Sequence, residues 1–158
     1  MITFRLVTGF TDIQRRSFDL ADPEILKATN VRPVAGGEWF QFDSAYKMAR
    51  GGDNTAVAGT PSDEATVPSY PMFAEGPGRT DMQSIGKGTF LFLNDFEADT
   101  KIMDAAGLAL GDALSVWDVD IGDGICRRGL AKASSGKVVG YVTRLPANNN
   151  GWLRFSTR

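Results

Sequence analysis

From residue 112 onward the chain reads as four short apolar segments, ALSVWDV, GICRRGLAKA, KVVGYVTRL and WLRFST, cut apart by clusters of Gly, Asp, Ser and Asn. Segments of this length, rich in β-branched and aromatic residues and bounded by turn formers, are strands, and their regular spacing predicts a meander. The whole chain has 18 glycines and no long amphipathic helical stretch. Together these features predict an all-β single domain, an antiparallel β-barrel or sandwich. At 158 residues the chain is long enough to bury a core without disulfides or metal.

Upstream, ITFRLV places Ile2, Phe4 and Leu6 on one strand face by period-two alternation with Thr3 and Arg5. Residues 10–21 are irregular and are read as an arm or connector, so that residues 1–22 form an N-terminal strand and arm and residues 23–158 the β domain. In GGEWFQFDS a double glycine feeds an aromatic strand containing Trp39, Phe40 and Phe42, and residues 46–49 are expected to return as its hairpin partner. Residues 50–69 have no sustained apolar period and are expected to form a long flexible loop. YPMFAE resumes β character, and residues 89–93 read as a strand buried on both faces. In KIMDAAGLAL, Ile102, Ala105, Ala106 and Ala109 share one helical face while Gly107 opposes a helix, which leaves both readings open.

The chain contains no histidine, which removes the usual general base, metal ligand and pH switch together. The lone Cys126 has no thiol to pair with and is read as a small buried hydrophobe in a strand. No apolar run approaches the roughly 20 residues of a membrane helix. The first residues carry no basic region followed by an apolar core, so synthesis in the cytoplasm is expected. No cofactor is expected, and no catalytic residue is assigned.

Three motifs invite chemistry. DVDIGDG, residues 118–124, offers Asp118 and Asp120 at the first and third positions of a calcium loop, but the fifth is Gly122, the sixth Asp123 and the twelfth Gly129. A hairpin turn is the expectation, with a weak surface cation site at Asp118–Asp123 as the alternative. GRTDMQSIGKGT ends in Gly-Lys but lacks the first glycine and the hydroxyl of a phosphate loop. Asp95, Glu97 and Asp99 share a strand face, a pattern that suits acid–base work, a hard cation or a sugar site, but a solvated strand end that discourages edge pairing is the expectation.

Charge is distributed unevenly. Residues 1–124 hold all 19 acidic residues and ten basic ones, whereas residues 125–158 hold seven basic residues and no acidic one. The C-terminal strands therefore suggest either docking on an acidic surface, in the same chain or a partner, or a basic stripe for nucleic acid through Arg127, Arg128, Lys132, Lys137, Arg144, Arg154 and Arg158. The sequence pI of about 5.1 favours the first.

The run GLAKASSGKVVGYVTRLPANNNGWLRF, together with GEWFQFDS, YPMFAEGPGRTDMQSIGKGTFLFL, FEADT and GDALSV, resembles capsid decoration (cement) or minor head proteins of tailed bacteriophages. The resemblance spans residues 37–155 and is interrupted at 50–69. It implies a non-enzymatic virion protein on the capsid surface, bound to the major capsid protein at capsomer junctions, often as a homotrimer. Ile2, Phe4, Leu6, Arg15 and Arg16 are the expected partner contacts, since an N-terminal strand and arm suit addition to a neighbour's sheet. The alternative is a small β-barrel module that binds single-stranded nucleic acid.

Overall fold

The computed structural model describes residues 3–9, 14–22, 35–50, 60–61, 67–68, 87–92, 96–134 and 137–157. Its strands are β1 (Phe4–Gly9), β2 (Gln14–Asp19), β3 (Trp39–Phe42), β4 (Met48–Arg50), β5 (Thr60–Pro61), β6 (Val67–Pro68), β7 (Lys87–Phe92), β8 (Phe96–Thr100), β9 (Ala113–Asp120), β10 (Cys126–Lys132), β11 (Gly140–Arg144) and β12 (Leu153–Ser156). Among the described residues there is no α-helix, only a short 3₁₀ turn at Pro146–Asn148. The fold is all-β, and every strand pair is antiparallel.

The main sheet runs β1-β8-β12-β11-β9-β10, with β5 also pairing to β9. Two smaller sheets, β2-β7 and β4-β3-β6, complete the described structure. The main sheet is open rather than a closed barrel. Immediately after β8, however, the chain crosses to the outer edge of β10. There the Leu130 N–H donates to the Ile102 carbonyl at 3.0 Å, and the Asp104 N–H donates to the Leu130 carbonyl at 2.8 Å. This isolated parallel bridge between Met103 and Leu130 curls the sheet toward closure without a continuous ladder.

The core lies on the face where the alternation of the six strands of the main sheet converges. Phe4, Phe96, Ala98, Leu114, Val116, Leu130, Val142, Leu153 and Phe155 pack there, and Trp39 of β3 closes over them. Phe155 meets Phe96 edge-on at 6.0 Å and lies 6.4 Å from the Trp39 ring, geometries that contribute about 0.5–1.5 kcal/mol beyond burial alone.

Several sequence expectations change. The segment at 10–21 is not simply an irregular arm: its residues Gln14–Asp19 form β2, in register with β7 from Gln14 opposite Phe92 to Asp19 opposite Lys87. The four C-terminal strands are all present, but not as a meander. β9 and β10 form one hairpin and β11 and β12 another, and β11 lies on the far side of β9 from β10. Within 50–69, the short strands β5 and β6 pair with β9 and β3, and the remaining residues after Arg50 lie outside the described ones. Tyr46 sits in the turn of the β3–β4 hairpin, so the return strand starts at Met48. Residues 89–92 belong to β7, whereas YPMFAE falls outside the described residues.

Residues 101–112 form no helix. Asp104 Oδ1 accepts from the Ala106 N–H and Asp112 Oδ2 from the Ala109 N–H, local bonds that compete with helix. The backbone N–H groups of Asp104 and Gly111 bond instead to the carbonyls of Leu130 and Val142.

The crossing after β8 depends on Gly129. A Cβ there would lie 2.4 Å from the Ile102 carbonyl oxygen and 2.6 Å from a Val119 methyl carbon. The first obstacle is backbone, which cannot turn aside as a side chain can. Gly129→Ala is expected to destabilise the fold by about 2 kcal/mol, within the range of overpacked sites, with the loss read by urea denaturation.

Candidate binding face

The alternation that sends Phe4 and Leu6 inward sends Arg5 outward, and the strand register makes a charged row of it. Arg5 lies opposite Asp99, Asp99 opposite Arg154, and Arg154 opposite Arg144. Because β8 is flanked by β1 and β12, the Asp99 side chain has 0% exposure. Arg5 Nε donates to Asp99 Oδ2 at 2.7 Å, and Arg154 reaches both carboxylate oxygens, Nε to Oδ1 at 2.8 Å and Nη2 to Oδ2 at 3.1 Å. The loop after β11 supplies a fourth donor: the 3₁₀ turn places the buried Asn149 with its amide nitrogen 3.0 Å from Asp99 Oδ1 and 3.0 Å from the Trp152 carbonyl.

The expectation of a solvated strand end is overturned here, because β8 is an interior strand and its carboxylate is buried beneath two guanidinium groups. Asp95 lies outside the described residues, and Glu97 is half-buried with Oε1 3.7 Å from Arg154 Nε. Burial opposes ionisation of Asp99 and is the largest single influence. The hydrogen bonds from Arg154, Arg5 and Asn149 together outweigh it, so the carboxyl titrates below its ordinary value.

Beside this cluster the Trp152 ring carries two cations, the Arg5 guanidinium 4.6 Å and the Lys101 ammonium 4.8 Å from its centroid. Trp152 itself is half-buried. An open cleft of about 470 Å³ adjoins it through Lys101 and is lined also by Met103, Asp104, Val119, Asp120 and Ile121 among others. Its two carboxylates are already engaged in turns: Asp104 Oδ1 with the Ala106 N–H, Asp120 Oδ1 with the N–H groups of Gly122 and Gly124.

DVDIGDG is the β9–β10 hairpin turn. Gly122 and Gly124 have φ of 102° and 74°, left-handed values that L residues rarely adopt. Asp123 donates nothing to a cation site either: one carboxylate oxygen accepts from the Ile125 N–H and the other from Arg127 Nη1 at 2.7 Å. Burial opposes its ionisation, and Arg127 with the Ile125 N–H overcomes it and holds the pKa low. On the opposite face Arg128 Nε lies 3.7 Å from Asp118 Oδ1.

The basic tail is therefore docked largely on the acidic part of its own chain: Arg127 on Asp123, Arg128 beside Asp118, Lys132 on Asp112 at 2.8 Å and Arg154 on Asp99. Lys137 and Arg144 remain exposed, and Arg158 lies outside the described residues. Cys126 is half-buried at the start of β10.

Of the expected partner contacts, Phe4 is 1% exposed in the chain's own core and Leu6 packs against that core, half-buried. Ile2 is outside the described residues, and Arg15 and Arg16 stand in β2 opposite Leu91 and Phe90. Phe4 and Leu6 thus belong to the main sheet, and Arg15 and Arg16 to the separate β2-β7 sheet. The structure assembles Arg5, Asp99, Lys101, Asn149, Trp152 and Arg154 instead; Asp99 and Arg154 stood out in the sequence for other reasons, and the period-two pattern already placed Arg5 on the outward face.

In comparisons with known proteins, no family model, no curated protein and no solved structure matches the chain.

Two outcomes follow from these contacts. Because Asp99 titrates lower in the folded chain than in the unfolded one, its contribution is complete above about pH 5 and lost as the pH falls below about 4. Asp112 and Asp123, also lowered, act in the same window. Asp99→Asn is expected to cost about 3 kcal/mol near pH 7, as when one partner of a buried pair is removed, and to flatten the acid limb of the melting midpoint against pH. Midpoints measured with calcium and with chelator are expected to coincide; a calcium-dependent rise would restore the cation reading of DVDIGDG.

Proposed function

We propose that this chain is a non-enzymatic structural protein that binds the outside of a tailed-phage capsid and stabilises capsomer junctions, self-associating as a trimer with the major capsid protein as its partner. The observation that carries the reading is the position of β1 at the end of the main sheet, with its outward side chains Arg5 and Val7 exposed. A terminal strand of this kind can add to a neighbour's sheet through main-chain hydrogen bonds. The register of β1 is broken between Leu6 and Thr8, so Val7 is an extra residue in the ladder. Such bulges restrain indiscriminate edge pairing, which suits a strand meant for one partner. The resemblance of the strand-and-turn phrases to decoration proteins supplies the partner's class.

The alternative, single-stranded nucleic acid along the C-terminal strands, has less support. Four of the basic residues it needs face carboxylates of the same chain, which leaves few cations to neutralise phosphates.

Sedimentation with expanded capsid shells tests the proposal. The protein is expected to pellet stoichiometrically with shells and to scatter light as an oligomer in solution. Val7→Glu is expected to weaken shell binding by about tenfold or more, on the scale of an interface anchor, while its melting midpoint stays close to that of the parent, since Val7 is exposed at 38% and outside the ladder. A monomer that stays in the supernatant would sink the reading.

A further inference from the structure

On the outer face of the β1-β8-β12 strands, hydrogen-bond donors are in excess and acceptors are consumed. Asp99 receives four hydrogen bonds, which occupy both its oxygens, and Glu97 faces Arg154. Around them stand three cations, Arg5, Lys101 and Arg154, against two carboxylates. Arg5 uses only Nε on Asp99, so among the described residues its two terminal nitrogens have no acceptor, and its side chain is 48% exposed. Among the described residues Lys101 makes no ion pair, and nothing accepts from the Trp152 indole N–H. The indole ring lies against both cations, its centroid 4.6 Å from the Arg5 guanidinium carbon and 4.8 Å from the Lys101 nitrogen.

From this arrangement we infer that Arg5, Lys101 and Trp152 form a docking point for carboxylate side chains of an acidic segment in a partner protein. The inference rests on the reading that the chain binds another protein and gives that contact its chemistry. Two cations held on an indole lose little freedom when they accept an anion, and Asp99 fixes the orientation of Arg5 from beneath. Arg5 could not be turned toward the ligand as well without that buried carboxylate, because its Nε bond sets the plane of the guanidinium. A carboxylate fits better than a nucleic-acid strand. Phosphates repeat at short intervals along a strand and would be driven across Glu97, whereas one or two carboxylates can sit on the cation pair alone. The four paired basic residues of the C-terminal strands add nothing to such a track.

Titration of the full chain with a hexaglutamate peptide, followed by the indole N–H resonance of Trp152, tests the site. Trp152→Phe assigns that resonance among the three tryptophans. The resonance is expected to move on peptide addition. Lys101→Glu is expected to bind about fivefold more weakly or worse, the scale of one solvent-screened ion pair. Lys137→Glu, the same charge change at an exposed lysine outside this row, is expected to bind nearly as the parent does. A motionless Trp152 resonance overturns the inference, as does equal loss in both variants, which would mean diffuse attraction only. Movement with single-stranded oligothymidylate but not with the peptide overturns it in favour of nucleic acid. The shell assay is read separately: shells that pellet the protein while the peptide leaves Trp152 unmoved remove this site and keep the capsid reading, and the converse keeps the site and removes that reading.

Discussion

One carboxylate with no access to water, that of Asp99, organises the β1 side of the main sheet. Asp99 is reached from both neighbouring strands and from a loop, by Arg5, Arg154 and Asn149. An ionised carboxylate in that position is tolerable only when its lone pairs are filled, and here the filling comes from three separate parts of the chain. The cluster therefore does more than add attraction. It selects the register in which Arg5, Asp99 and Arg154 stand opposite one another, since a slip of one residue would send the arginines into the core and strand the carboxylate. The packing of Phe4, Ala98 and Phe155 on the other face follows from the same register.

Much of the architecture was legible where pairing is local. The strands β9 to β12, the aromatic strand β3 and the hairpin at DVDIGDG follow from alternation and turn chemistry, which act within a few residues. What stayed hidden is what distant pairing decides. QRRSFD has no apolar alternation to announce β2, which exists because β7 lies beside it. The placement of β11 beyond β9 depends on which edge the second hairpin finds, and no residue in KVVGYVTRL encodes that. Nor does FEADT disclose whether its carboxylates face solvent: the same alternation fits an edge strand and an interior one. The binding face was half visible, since the pattern that marked Phe4 and Leu6 also marked Arg5. Its members at positions 101, 149 and 152 come together only through the fold.

The uneven distribution of charge acquires a structural meaning. A basic C-terminal segment attached to an acidic remainder looks, as a sequence, like a surface in search of an anion. In the folded chain, turn and strand register bring Asp123 to Arg127, Asp118 to Arg128 and Asp112 to Lys132. Segregation along the sequence thus becomes neutralisation across strands. Among the described residues, the cations that face outward include Arg5 and Lys101 of the N-terminal portion beside Lys137 and Arg144 of the tail.

The strand order has a consequence for how the chain reaches its final state. β8 lies between the first strand and the last, and its carboxylate bonds to residues 94 and 55 positions away. Contacts that span such lengths of chain form slowly, because loop closure must come before any reward. During synthesis β8 emerges with its first neighbour already made and its second still to come. That side of the sheet thus remains provisional until β12 arrives, and the arrival of β12 becomes the event that commits it.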